Sequence, residues 1–338
     1  MANYKGIKGL KVQSVASDPS PLIEGQLWYN TASAALKMEG LGAGSWAAGG
    51  LTNTARGHLA GAGSSHTAGL IVGGIGVPAV GVIASTESYD GTTWTEVNDL
   101  NAARQYFTAA GTQTAAITAG GMSSVYLDEV LVSEIWDGTS WSEEADLATA
   151  RSSAVVCGTT TATLCVAGGF GNNAPNLAIV EEYNGTAWAE VGDINTARRA
   201  LGGATAGTPT AGLVFAGIDY PDPPYGFDVT ESYNGTTWTE VADMGTQKYS
   251  LGSCGTQGDS LAFGGSGGNP FIGGQATTEA WNGTSWTEVA DLAYTQYNSA
   301  PFGGTSSAMY ATGQTQPTPR SQTNEWTKAV AVQTVTVS

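Results

Sequence analysis

The chain is expected to fold as an all-β protein, a six-bladed β-propeller with a small β segment at its N-terminus. Three observations carry that expectation. The stretch E-S-Y-N-G-T-T-W-T-E-V-A-D-M, residues 231 to 244, returns in close copies ending at Leu100, Leu147, Ile194 and Leu292. The tryptophans of these copies, Trp94, Trp141, Trp188, Trp238 and Trp286, stand 47, 47, 50 and 48 residues apart, a period that belongs to blade-sized supersecondary units. The composition fits turns and sheets: 48 of the 338 residues are glycine, and charged residues make up 12% of the chain against a usual ~25%. Finally, the two ends complement each other. Trp46 stands 48 residues before Trp94 but lacks the front half of the motif, whereas Q-T-N-E-W, with Trp326, lacks the back half. The N-terminal side therefore supplies the outermost strand of the last blade.

Residues 1–40 carry Lys5, Lys8, Lys11 and Lys37 and none of the repeat. They read as an attachment segment, with a hairpin of Q-L-W-Y-N, holding Trp28 and Tyr29, against L-K-M-E-G. Residues 41–327 form the propeller. In each repeat a first strand follows Arg56, Arg104, Arg151, Arg198, Lys248 or Gln296. The second strand is an apolar run ending at Gly74, Gly121, Gly169, Gly217, Gly265 or Gly313; continuous apolar character means that both faces are covered, and glycine suits the crowding there. A third strand ends in Tyr89, Trp136, Tyr183, Tyr233 or Trp281 and runs into Asp-Gly or Asn-Gly, read as a two-residue hairpin turn. The fourth carries the motif tryptophan, expected to pack between neighbouring blades. Residues 328–338, K-A-V-A-V-Q-T-V-T-V-S, form an alternating β tail whose partner the sequence does not identify.

With 29 acidic and 12 basic side chains, the formal charge is −17, a field that repels nucleic acid and anionic membranes. Neither is an expected partner. Cys157, Cys165 and Cys254 are odd in number and lack zinc-ligand spacing, so they read as small buried apolar residues. No run approaches the ~20 apolar residues that cross a bilayer, and the N-terminus has no apolar signal core. The reading expects no membrane insertion, no signal peptide, no metal and no cofactor.

Paired glycines after an apolar strand, an aromatic followed by Asp or Asn, a Trp five residues after the aromatic, and then Arg make residues 41–327 resemble the kelch repeat. That likeness implies a propeller and leaves function open. The N-terminal pattern K-G-I-K-G-L-K-V-Q, S-D-P and E-G-Q-L-W-Y-N-T, followed directly by such blades and the E-W-T and T-V-T-V-S tail, resembles kelch-type structural proteins of tailed, marine bacteriophages. The resemblance implies a non-enzymatic virion component, in a fibre, tail or head decoration, assembled in the host cytoplasm and held to other virion proteins through residues 1–40. Two alternatives remain. One is a carbohydrate-active, sialidase-like enzyme, since S-Y-D-G-T-T-W from Ser88 and S-Y-N-G-T-T-W from Ser232 resemble the sialidase turn, one residue short. The other is an intracellular kelch scaffold. A copper-radical oxidase site is rejected, because His58 and His66 are the chain's two histidines and no matching ligand assembly accompanies them.

Glu87, Glu134, Glu182, Glu231 and Glu279 recur before the aromatics and read as salt-bridge or edge residues, because catalysis does not need one acid per blade. Asp99, Asp146, Asp193, Asp243 and Asp291 recur five residues after the tryptophans and are the expected partners of the Arg series, or else take backbone hydrogen bonds. The loops after the second strands differ in every repeat, and variable loops on a rigid scaffold are where binding resides. By strand direction they share a face with the Arg positions. The candidate ligand face is therefore Arg56, Arg104, Arg151, Arg198 and Lys248 with Asn172, Asn173, Tyr220, Tyr225, Phe227 and Phe271, and its candidate ligand is a host-surface glycan. Trp46, Trp94, Trp141, Trp188, Trp238, Trp286 and Trp326 are assigned structural roles.

Overall fold

The computed structural model describes residues 12–20, 26–76, 81–123, 128–169, 175–219, 226–267, 273–315 and 318–334. Every regular element among them is a β-strand. Two compact units emerge, one of residues 1–44 with 328–338 and one of residues 45–327. In the smaller unit Gln13–Val15 pairs in parallel with Leu27–Asn30, which turns back in a hairpin onto the start of Ala35–Ala48. Asp18 organises its turn: its Oδ1 accepts Trp28 Nε1–H at 2.9 Å and an Asn30 Nδ2–H at 2.6 Å. The long strand Ala35–Ala48 is hydrogen-bonded on its other side to Thr318–Thr334, the strand that carries the described part of the C-terminal tail.

The larger unit is a β-propeller of small antiparallel sheets. A representative one runs Thr108–Thr112, Ala115–Ala119, Ser133–Trp136 and Trp141–Glu143 from its inner to its outer edge. The first strands adjoin one another in a closed circuit: Ala60–Ser65, Thr108–Thr112, Val155–Thr159, Gly202–Gly203, Gly252–Thr256, Ala300–Gly304 and back to Ala60–Ser65. The sheet containing Ala300–Gly304 continues through Ser307–Thr315 and Thr318–Thr334 to Ala35–Ala48. Gly49 N–H donates to Thr323 O at 3.1 Å, and the Trp46 and Trp326 rings lie 5.4 Å apart.

The second strands are buried on both faces, as their apolar runs require: Leu164, Cys165 and Val166 have no exposed surface, nor have Leu213, Val214 and Phe215. Core clusters join one sheet to the next. Trp238, for example, shares a cluster with Leu164 and Val166 of the preceding sheet, and each such aliphatic side chain contributes about 1.5–3 kcal/mol by leaving water. Several indoles also bridge sheets by hydrogen bonds: Trp141 Nε1–H donates to Thr86 Oγ1 at 3.1 Å, Trp188 to Ser133 Oγ at 3.1 Å, Trp286 to Thr230 Oγ1 at 3.0 Å and Trp46 to Thr278 Oγ1 at 3.0 Å. Trp94, Trp141, Trp238 and Trp326 are buried, whereas Trp46, Trp188 and Trp286 are half-buried.

Two local expectations need correction. The Asp-Gly and Asn-Gly turns are not two-residue hairpins: Tyr89 pairs with Trp94, which leaves a loop of residues 90–93. Only Gly91 there takes positive φ, at 93°. Asp90 instead uses its side chain, with Oδ1 accepting the Thr92 and Thr93 N–H groups at 2.9 and 2.8 Å. Asn184, Asn234 and Asn282 repeat that geometry. At the ends of the second strands, crowding is half the reason for glycine. Gly73 and Gly74 have φ of 62° and 100°, and a Cβ on Gly73 would lie 2.7 Å from Arg104 O. In the third repeat the pair with positive φ is Ala167–Gly168, one residue before the glycine pair.

The candidate site at the axial mouth

The repeated arginines are not a solvent-facing ring. Arg56, Arg104, Arg151, Arg198 and Lys248 are all fully buried. Their partners are glutamates rather than the motif aspartates: Arg56 with Glu87 at 2.8 Å, Arg104 with Glu134 at 2.8 Å, Arg151 with Glu181, Arg198 with Glu231, and Lys248 with Glu279 at 3.5 Å. In the third repeat the partner is Glu181, not Glu182, because alternation along Val180–Tyr183 buries Glu181 and leaves Glu182 half-buried. Each pair fastens the incoming loop to its own sheet. Glu134 also accepts Asn101 N–H at 2.8 Å, and Arg104 donates to Gly120 O and Val132 O. Burial lowers the Arg104 pKa to about 10 against the supporting charge of Glu134, so the guanidinium stays charged at neutral pH. The motif aspartates serve backbone instead: Asp99, Asp243 and Asp291 accept the N–H groups of Thr86, Thr230 and Thr278. In the closing sheet a neutral pair replaces the ion pair, with Asn324 Nδ2–H donating to Gln296 Oε1 at 3.1 Å.

Of the proposed loop residues, Asn172, Asn173, Tyr220, Tyr225 and Phe271 lie outside the described residues. Phe227 is half-buried, and its backbone bridges to Lys248.

Two residues beyond each buried cation or Gln296 stands a non-glycine residue with positive φ: His58, Tyr106, Ser153, Ala200, Ser250 and Asn298, at 52–57°. Such a conformation costs on the order of 1 kcal/mol or more per residue. A closed circuit of backbone hydrogen bonds offsets it. His58 O accepts Tyr106 N–H, Tyr106 O accepts Ser153 N–H, and the chain passes through Ala200, Ser250 and Asn298 until Asn298 O accepts His58 N–H, all at 2.7–3.1 Å. The six side chains are half-buried. Beside this ring, one residue after each cation or Gln296, stand Gly57, Gln105, Ser152, Arg199, Tyr249 and Tyr297. Gln105, Ser152, Arg199 and Tyr297 bridge to Met122, Gly169, Ile218 and Gln314, which lead into the variable loops.

The mouth thus gathers unlike groups. The His58 and Tyr106 ring centroids lie 4.0 Å apart with the planes tilted by 46°, and the Tyr106 hydroxyl is 3.3 Å from His58 Nε2. Burial lowers the His58 pKa to about 4, and burial raises Tyr106 to about 12 against the nearby charge of Arg199. Both are neutral at pH 7. Asn298 Nδ2–H donates to Gln314 Oε1 at 3.2 Å. Within the ring begins a chamber of about 80 Å³, lined below by Leu59, Phe107, Val155, Leu201 and Leu251. Such an arrangement can bind polar groups through phenols, amides and a cation. Among the described residues there is no group of three or more His, Cys, Asp or Glu that could hold a metal ion. The reading of the sequence missed this mouth, although a signal existed: directly after an Arg that barely varies comes a position that takes five residue types in six repeats, Gly, Gln, Ser, Arg, Tyr and Tyr.

No protein-family model matches the chain, and no curated protein matches its sequence. Among solved structures it aligns with the one titled "Structure of YjhT", with a TM-score of 0.67 and 12% identity, over 84% of this chain and 98% of that one. At that identity the likeness shows the fold, a β-propeller, and carries nothing about the site.

Proposed function

We propose that the chain is a six-bladed, kelch-type propeller that serves as a non-enzymatic virion component and binds a host-surface glycan at the axial mouth. The circuit of six first strands and the ring of six residues support the blade count; the kelch and virion assignments rest on the sequence resemblance. One observation carries the binding site. The charges that recur in the blades are buried in ion pairs, whereas the residues that vary from blade to blade, Arg199, Tyr249 and Tyr297 among them, converge where the variable loops begin. Phenol and amide groups suit sugar faces and hydroxyls, and Arg199 favours a ligand with negative charge.

A carbohydrate-active enzyme at the same mouth is the second reading, favoured by the hydroxyl-to-imidazole approach of Tyr106 and His58. The pair is poorly poised for it: a phenol near 12 beside an imidazole near 4 keeps its proton. A glycan-binding screen of wild type against Arg199→Ala and Tyr297→Ala, with product analysis of every glycan bound, tests both readings. Binding that drops at least tenfold in both variants, without product, is expected. Turnover would replace the binding reading with the enzymatic one, and absence of any bound glycan would remove both. Co-purification of the chain with phage particles tests the virion assignment.

A further inference from the structure

The chamber within the ring has a chemistry of its own. Its lining below the ring is mostly apolar, with Thr108, Thr205, Ser253 and Ser299 beside the leucines, and half-buried His58 contributes a buried nitrogen, Nδ1, with no hydrogen-bond partner. The other nitrogen, Nε2, faces the Tyr106 hydroxyl. With that hydroxyl donating to Nε2, a neutral imidazole carries its proton on Nδ1. The chamber therefore presents one orphaned N–H donor beside leucine side chains, a state that stays unfavourable until an acceptor arrives. Its volume, about 80 Å³, admits a few waters or one small substituent.

We propose that this chamber receives the acetamido group of an N-acetylated sugar, with the carbonyl oxygen accepting from His58 Nδ1–H and the methyl group packed against Leu59, Leu201 and Leu251. The proposal rests on the mouth being a glycan site, and adds which substituent is read there. A carboxylate would have to leave water for an apolar chamber and meets no cation inside it. A hydroxyl would satisfy the donor but leave the leucines without a partner. An acetamido group supplies both an acceptor and an apolar end.

The experiment compares N-acetylglucosamine with glucose by calorimetric titration of wild type, His58→Asn and Ala154→Val, and follows the His58 imidazole nitrogens by NMR during titration with N-methylacetamide. Asparagine tolerates the positive φ of position 58, and Ala154→Val narrows the chamber should His58→Asn fail to fold. Wild type is expected to bind the N-acetylated sugar at least tenfold more tightly than glucose, with the ratio falling towards one in either variant, and N-methylacetamide is expected to shift the His58 resonances. A wild-type ratio near one, or a ratio untouched by both variants, overturns the proposal while leaving the mouth a glycan site. Shifted His58 resonances without sugar binding support the chamber's chemistry and remove the glycan reading. Unshifted resonances without sugar binding overturn both.

Discussion

Arg198 and Arg199 are neighbours in sequence and opposites in role. Arg198 is fully buried, paired with Glu231 and hydrogen-bonded to Thr196 O and Ala216 O. Arg199 is half-buried at the channel mouth, where its charge reaches Tyr106. The same contrast runs around the propeller. Cations that recur in the blades hold them together, and the residue that follows each one, Gly57, Gln105, Ser152, Arg199 or Tyr249, differs every time. Repetition marks what the fold needs, and departure from repetition marks what a ligand could read.

The largest effect that could break this comparison is on stability. Arg198→Ala leaves Glu231 charged, buried and without its cation, so the variant is expected to lose about 3–5 kcal/mol in denaturant unfolding. Glu231→Gln is no remedy for Arg198→Ala, because Glu231 also accepts the backbone N–H groups of Asn195 and Thr196 and a neutral amide is the weaker acceptor. An unchanged midpoint for Arg198→Ala would move the buried ring back among the candidate binding residues.

Strand order, the closing of the last sheet by the Trp46 segment and the burial of both faces of the second strands could all be read from the sequence, because each rests on periodicity and on apolar runs. The Arg partners could not. Glutamate and aspartate both recur at fixed offsets, and only the pleat of the third strand decides which acid points inward: Glu181 is buried, while Glu182 beside it is half-buried. The ring of His58, Tyr106, Ser153, Ala200, Ser250 and Asn298 was hidden for another reason. Its positive φ angles are held by backbone hydrogen bonds between sheets, so no residue type marks them, and glycine, which usually marks such backbone, is absent from all six positions.

A middle-sized effect concerns the mouth's contribution to stability. Burial holds the His58 pKa near 4 in the folded chain against about 6.5 unfolded. The unfolded state therefore binds the extra proton between these values. The stabilisation is complete above about pH 6.5 and is lost as pH falls towards 4, by up to about 3 kcal/mol. Subtracting the pH profile of His58→Asn from that of wild type isolates this slope from the carboxylates that titrate below it. Parallel profiles would mean that His58 is exposed and the chamber open to water.

The smallest expected stability effect belongs to Arg199→Ala, and its smallness is the point. Arg199 sits at a partly solvated position, where truncation is expected to cost less than about 1 kcal/mol, several-fold less than at Arg198 one residue earlier. What changes is the field at the mouth. Loss of the guanidinium removes the charge that lowers the Tyr106 pKa, so the phenol should titrate at higher pH in the variant, by ultraviolet difference absorbance or NMR. Any ligand carrying negative charge should lose affinity and salt dependence together, because the attraction being screened is gone. A variant as unstable as Arg198→Ala would make Arg199 another structural cation. A variant that is stable and still titrates Tyr106 as wild type does would place the Arg199 charge away from the mouth, leaving phenols and amides alone to read the ligand.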